Sequence, residues 1–96
     1  MTQDSLSGFV LEEKPVVDWN NVAVGTVMDI RKDPRRGNAR HLVVNLTPAA
    51  QDLLGVHDEL ITIPINHVFG IRRDQVRLDR SIQELARIER LEELAR

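Results

Sequence analysis

The chain contains no cysteine, and this absence excludes several kinds of chemistry at once. Without thiols there is no disulfide framework, no thiolate nucleophile and no cysteine ligand for zinc. The fold of these 96 residues must therefore depend on burial of apolar side chains. A chain of this length supports a single hydrophobic core, so we expect one domain with at most a short appendage.

Long apolar runs are also missing from the sequence. No stretch approaches the roughly 20 consecutive apolar residues that a helix needs to cross a bilayer. The opening residues, MTQDSLSG, lack the basic and apolar pattern of an export signal. We therefore expect a cytoplasmic protein that does not span a membrane.

Aromatic residues are scarce, with Phe9, Trp19 and Phe69 and no tyrosine. Stacking on single-stranded nucleic acid needs exposed aromatic rings, and we expect these three to lie at least partly in the core. The net charge of −2 also argues against general nucleic-acid binding. Two short segments are nevertheless basic, residues 31–40 and residues 72–80.

No pattern of residues indicates catalysis. The three histidines, at positions 41, 57 and 67, lack the spacing of metal ligands, and the glycines form no phosphate-binding loop. Ser81 is better explained as a helix cap than as a nucleophile. We expect no enzyme activity, no metal and no cofactor.

Alternating apolar residues and turn residues predict several short strands. We place them at about 15–17, 22–30, 41–46, within DELITIPIN up to Pro64, and at 75–78, with a polar hairpin loop at 32–39. The segment HVFGIRRDQVRL is interpreted as a helical turn or bend followed by the last of these strands. Gly25, inside the second strand, indicates a bulge, a sharp bend or a close approach of two backbones.

Two segments have helical signals. Thr47 as N-cap, Pro48 at the first helical position and Gly55 after the end predict one or two turns. Ser81 and Glu84 form a capping-box pattern, and the residues that follow contain no glycine or proline. They predict a helix of about four turns that reaches the end of the chain.

Three features follow one another along the chain: the G-x-V-x-D spacing of Gly25, Val27 and Asp29, the apolar run Leu42 to Val44, and Ile63 with Pro64 before Val68. With these features, the order of the segments resembles the PRC-barrel family, which is named for the cytoplasmic domain of the photosynthetic reaction-centre H subunit and also occurs in ribosome maturation factors. The resemblance covers roughly residues 14–79. It implies a compact, mostly antiparallel barrel of five or six strands that serves as a docking module without a catalytic apparatus.

We therefore expect a mainly β protein, a small antiparallel PRC-type β-barrel of five or six strands. A short inserted helical turn and a C-terminal α-helix complete it. We divide the chain into a flexible tail at 1–8, the barrel at 9–79 and the helix at 80–96.

The C-terminal helix is the first candidate interface. Its apolar residues recur every three positions, so at about 100° per residue the apolar stripe turns back by about 60° at each step. One barrel surface could hardly bury all of them. Either the helix packs on its own barrel with two leucines partly exposed, or a second copy covers them, and we favour a homodimer. The residues are Ile82, Leu85, Ile88, Leu91 and Leu94.

The second candidate is a basic contact patch. The alternatives are a solvated loop that discourages edge pairing, a surface for an acidic protein, and a surface for RNA. We expect a non-catalytic docking or adaptor protein that binds a protein partner within a larger cytoplasmic or membrane-associated assembly, such as a cell-division or photosynthetic-type complex. The alternative is a ribosome or RNA assembly factor. The candidate patch consists of Arg35, Arg36, Arg40, Arg72 and Arg73.

Overall fold

The computed structural model describes residues 13–32 and 40–89, together with Leu91 and Glu93. The predicted tail over 1–8 and the loop residues 33–39, which include Arg35 and Arg36, lie outside the described residues, as does Leu94. Over the described part of the chain, neither helix is long and apolar enough to cross a membrane.

The described residues form a mainly β structure with two helices, as the sequence predicts. A single 3-10 turn, Ile65–His67, joins the fourth and fifth strands. In chain order the strands and helices are β1 (Pro15–Val17), β2 (Ala23–Lys32), β3 (Arg40–Leu46), α1 (Pro48–Leu54), β4 (Leu60–Pro64), β5 (Val68–Ile71), β6 (Val76–Leu78) and α2 (Ile82–Ile88).

The six strands form one open, mixed sheet. Its strand order is β4-β3-β2-β1-β6-β5, and the sheet does not close into a barrel. Strands β1 and β6 are parallel, whereas the other neighbours are antiparallel. The prediction of a closed barrel was therefore wrong, and the six-stranded sheet is mostly but not purely antiparallel. The alternation of apolar and polar residues predicts which side chains face the core. It does not indicate whether two paired strands run parallel or antiparallel.

Strand β5 was not predicted, because its segment was interpreted as a helical turn or bend; the strand contains a bulge. Val68 pairs with Leu78, but the next partner of β6 is Gly70, opposite Arg77. Phe69 is therefore the extra residue, and two residues of β5 lie opposite one residue of β6. The predicted last strand is present and covers Val76–Leu78.

Helix α1 has the caps that the sequence predicts. The Thr47 hydroxyl accepts a hydrogen bond from the Ala50 N–H at 3.1 Å, and Pro48 is the first helical residue. Gly55 ends the helix at φ 68° and ψ 31°, a left-handed conformation that glycine adopts without strain. The capping residues lie within one or two turns of the helix ends that they define, so the sequence is sufficient to predict where α1 begins and ends.

Helix α2 begins as predicted but is much shorter. Ser81 accepts a hydrogen bond from the Glu84 N–H at 3.2 Å, whereas Glu89 is extended at φ −126° and ψ 145°. A helix that continued would place Leu91 about 180° around the axis from the buried Ile82. Because the helix ends at Ile88, Leu91 packs against the same core as Ile82. The prediction of about four turns was wrong for this reason.

One hydrophobic core lies between the sheet and the two helices. Helix α2 contributes Ile82 and Leu85 to it, so the predicted C-terminal segment shares the core of the predicted barrel segment. The other buried members are Val16, Val24, Val27, Leu42, Val44, Leu46, Ala50, Ile61, Ile63, Val76 and Leu78.

Candidate functional site

An exposed group of two aromatic side chains and one arginine lies where β1, β5 and β6 meet. We call it the aromatic–arginine cluster, and it consists of Trp19, Phe69 and Arg77. The Trp19 and Phe69 rings meet edge to face, with centroids 5.1 Å apart and planes at 82°. The Arg77 guanidinium carbon lies 5.2 Å from the centroid of the Trp19 ring. These geometries are those of favourable aromatic and cation–π contacts.

The backbone of three neighbouring segments positions the cluster. Arg77 lies between the buried Val76 and Leu78, so strand alternation directs its side chain to the outer face of the sheet. Phe69, the extra residue of the β5 bulge, directly precedes Gly70, which pairs with Arg77. Arg77 Nη2 also donates a hydrogen bond to the Trp19 carbonyl at 2.9 Å. The arginine therefore holds the tryptophan through both its ring and its backbone.

Trp19 and Phe69 are exposed and neither belongs to the core cluster, contrary to our expectation, while Phe9 lies outside the described residues. Trp19 is 46% exposed and Phe69 is 65% exposed. Rings of this size gain most of their binding free energy when a partner removes them from water. The Nε atom of Arg77 is buried and has no hydrogen-bond partner among the described residues.

A buried carboxylate fixes the turn that carries Trp19. Asp18 is fully buried, and its Oδ1 accepts hydrogen bonds from the N–H groups of Asn20 at 2.8 Å and Val22 at 2.9 Å. Its Oδ2 accepts a third, from the N–H of Ile82 at 2.9 Å. The sequence indicated a turn at Asp18, but the bond to a residue 64 positions away had no sequence signal. Asp18 therefore joins the turn of the candidate site to the first residue of α2.

The predicted basic patch is divided between separate strands. Arg40 begins β3, whereas Arg72 and Arg73 are exposed in the turn between β5 and β6. Strands β2, β1 and β6 lie between these two positions in the sheet. Arg72 follows Phe69 by three residues, which is about 10 Å along an extended chain. Arg72 and Arg73 are therefore close to Phe69 along the chain, whereas Arg40 lies on a strand separated from β5 by three others.

The predicted helix interface is mostly occupied by the protein's own core. Ile82 and Leu85 are fully buried, and Leu91 is partly buried against the core. Ile88 is 50% exposed, and Leu94 lies outside the described residues. The homodimer stays a prediction, and Ile88 is the exposed member of the set within the described part of the chain.

If a second copy binds α2 in this conformation, Ile88→Asp should weaken the dimer because Ile88 is the side chain available to it. We expect a monomer mass for the variant in light scattering at a concentration where the wild type is dimeric, with an unchanged melting temperature. Arg87→Ala, at the neighbouring exposed position, is the matched control. A dimer that tolerates Ile88→Asp would show that α2 is not the interface.

The described residues do not assemble a metal site. Within 13–32, 40–89, Leu91 and Glu93, no group of three or more histidine, cysteine or acidic side chains is arranged to hold a metal ion. His41 lies on β3, His57 in the segment between α1 and β4, and His67 in the 3-10 turn.

No protein-family model matches the chain, and no curated protein sequence is significantly similar to it. The resemblance to the PRC-barrel family therefore stays a prediction.

Proposed function

We propose that this chain is a non-catalytic docking module that binds an acidic, apolar segment of a protein partner through the aromatic–arginine cluster. The observation that carries the proposal is the exposure of Trp19 and Phe69 side by side, fixed by Arg77. Tryptophan and arginine are enriched among the residues that dominate the free energy of protein interfaces.

The cluster is ordered before a partner arrives, which favours binding. The edge-to-face ring contact and the hydrogen bond from Arg77 to the Trp19 carbonyl restrict both aromatic groups. Side chains that are already restricted lose less conformational entropy on association, so more of the burial free energy appears as affinity. Phe69 also lies on β5, which ends the sheet at one edge.

The charges around the cluster favour an acidic partner. Lys14, Arg72 and Arg73 lie near the β5–β6 turn, and the Lys14 ammonium donates a hydrogen bond to the Arg73 carbonyl. Glu13 and Asp74 are the exposed acids in the same two segments, so the local balance is positive although the chain is acidic overall. A positive surface steers an acidic partner and raises its association rate.

The resemblance to PRC barrels supports the same proposal, because it implies a docking module without catalytic residues. We place the partner in a larger cytoplasmic or membrane-associated assembly on this analogy alone. The open sheet differs from the closed barrel that the resemblance implies.

A single-stranded RNA is the second candidate for the same surface. Exposed aromatic rings next to arginines can stack on bases and contact phosphates, and the exposure of Trp19 and Phe69 favours this reading. Phosphate binding falls steeply with salt, whereas apolar docking with a few charge contacts falls less.

We expect Phe69→Ala to weaken partner binding by about 10-fold or more, because truncation removes a ring that a partner would bury. The test is capture from native lysate by tagged wild type, by Phe69→Ala and by Leu53→Ala, each with and without nuclease. Leu53 is similarly apolar and 46% exposed, but it lies on α1 away from the cluster.

A protein retained by wild type and Leu53→Ala but lost by Phe69→Ala, whatever the nuclease treatment, supports the proposal. Loss of all binding after nuclease treatment supports the RNA candidate. Equal capture by all three proteins contradicts a role for the cluster.

A further inference from the structure

The open sheet has two edge strands, β4 and β5, and only one of them is covered. On the outer side of β4, Ile61 forms an isolated antiparallel bridge with Glu93, and the strand ends at Pro64. Strand β5 pairs with β6 on one side, and within the described residues no strand pairs with its other side. An uncovered edge presents backbone N–H and C=O groups that another strand can bind.

The register of the β5–β6 hairpin determines which backbone groups face this open edge. The Arg72 N–H donates a hydrogen bond to the Gln75 carbonyl at 2.8 Å, so the backbone of Arg72 faces β6. Successive residues of an antiparallel strand alternate between facing the partner strand and facing away from it. Ile71 therefore directs both its N–H and its carbonyl toward the open edge.

The other end of β5 offers one further acceptor. The Asp79 N–H donates to the His67 carbonyl at 2.9 Å, so the same alternation turns the backbone of Val68 away from β6. The Val68 N–H already donates to the Ile65 carbonyl in the 3-10 turn. The Val68 carbonyl and both groups of Ile71 are thus directed to the edge.

The side chains of this edge are apolar. Ile71 is 47% exposed, and it lies two residues after the exposed Phe69 of the aromatic–arginine cluster. Edge strands that avoid pairing commonly carry lysine or proline, and β5, with the sequence VFGI, contains neither. It is short and bulged, so an added strand forms few backbone hydrogen bonds and depends on side-chain contacts for much of its affinity.

Strand alternation specifies which side chains an added strand would present. Ile71 lies directly opposite the buried Val76, so the two side chains project to the same face of the sheet. A residue paired with Ile71 from the other side projects to that face as well, and an apolar side chain suits it. The residues before and after it project to the outer face, where Arg77 lies.

The charges near the edge favour an acidic strand. Arg72 and Arg73 directly follow β5 and are exposed, and Lys14 donates to the Arg73 carbonyl. Asp74 is the acid of the same turn. A second copy of the chain would bring the same positive surface to the edge, whereas an acidic segment is complementary to it.

We infer, on the basis of the docking function proposed above, that the partner's acidic segment binds in an extended conformation as a seventh strand beside β5. Ile71 exchanges both of its backbone hydrogen bonds with the added strand. An apolar partner residue packs on Ile71, and acidic neighbours face Arg77 on the outer face. In this mode the main chain contributes affinity and the alternating side chains contribute specificity.

Amide hydrogen exchange of the full chain, resolved by NMR, tests strand addition directly. The probe is a synthetic peptide of about eight residues in which valine and glutamate alternate, a length typical of a strand. At saturation we expect exchange at the Ile71 amide to slow by about 10-fold or more, because this N–H gains an acceptor. The Arg72 amide, which already donates to Gln75, should change much less. A peptide with lysine in place of glutamate is the charge control and should bind more weakly.

Ile71→Pro removes the N–H that faces the edge without removing a hydrogen bond to β6, a change that edge strands tolerate. Ile71→Ala is its matched control, because it shortens the side chain and keeps the N–H. We expect Ile71→Pro to bind the acidic peptide about 10-fold more weakly than Ile71→Ala. Circular dichroism checks that both variants are folded, and the exchange measurement on the wild type does not depend on either.

An unchanged Ile71 amide in the presence of bound peptide overturns strand addition, as does failure of the acidic peptide to bind. If Phe69→Ala still abolishes capture of the partner from lysate, the docking surface stands and only its mode of binding is wrong. Protection of the Ile71 amide in the protein alone, increasing with protein concentration, would assign the edge to a second copy and also overturn the proposal.

Discussion

Gly25→Ala should destabilise the fold by about 3 kcal/mol or more, enough to leave a domain of this size largely unfolded. A Cβ at this position would overlap the carbonyl oxygen of Asn45 and lie 2.8 Å from its carbonyl carbon and 3.0 Å from the Leu46 Cα. These are backbone atoms of the adjacent strand β3, and they cannot move aside by changing a rotamer. The pairing of β2 with β3 would have to separate locally.

Gly70→Ala is the matched control for this change. It introduces the same methyl group into another strand, β5, where a Cβ would meet nothing within 4 Å. We expect a change within about 0.5 kcal/mol. Urea unfolding of both variants, followed by far-ultraviolet circular dichroism, measures the difference. Similar midpoints for the two variants would contradict the close approach of β2 and β3.

Asp18→Ala should cost about 2–4 kcal/mol, because one buried carboxylate satisfies three backbone N–H groups. Two of these groups, on Asn20 and Val22, shape the turn that carries Trp19. The third, on Ile82, is at the first turn of α2, where N–H groups have no partner within the helix. The variant therefore loosens the turn and the helix start together.

The measurement is again the free energy of unfolding, with Asp18→Asn and Asp52→Ala as comparisons. Asp18→Asn keeps one side-chain oxygen that accepts hydrogen bonds in the turn but loses the acceptor that faces Ile82. It should therefore lose less stability than Asp18→Ala. Asp52 is an exposed acid on α1, and its replacement should change stability by less than about 0.5 kcal/mol. An Asp18→Ala protein as stable as Asp52→Ala would contradict the role assigned to this carboxylate.

Local signals in the sequence were sufficient to predict local structure. The caps of α1 at Thr47 and Gly55, and the start of α2 at Ser81, depend on residues within one or two turns of each other. The close backbone approach at Gly25 was also among the alternatives that a glycine inside a strand indicates.

Features that depend on distant contacts were missed. The open sheet and the parallel pairing of β1 with β6 follow from how strands far apart in sequence meet. The early end of α2 depends on Glu89 reaching His67 and on Leu91 reaching the core, neither of which helix propensity reports. Propensity describes an isolated segment, and tertiary contacts override it here.

The candidate site was missed for a related reason. Scarce aromatic residues are most often found in the core, and we expected Trp19 and Phe69 to lie at least partly there. The bulge at Phe69 has no clear signal in the sequence. No sequence pattern indicated that Arg77 would contact Trp19.

Fluorescence of Trp19 tests the central claim most directly, because Trp19 is the single tryptophan of the chain and belongs to the proposed docking surface. The partner protein recovered by capture from lysate is titrated into the wild-type protein while Trp19 emission is recorded. Calorimetry measures the same binding independently. The account predicts that Trp19 emission shifts to shorter wavelength and saturates, with the same affinity that calorimetry measures. The shift should be weaker in Phe69→Ala. Binding seen by calorimetry with unchanged Trp19 emission would place the interface elsewhere and contradict the account.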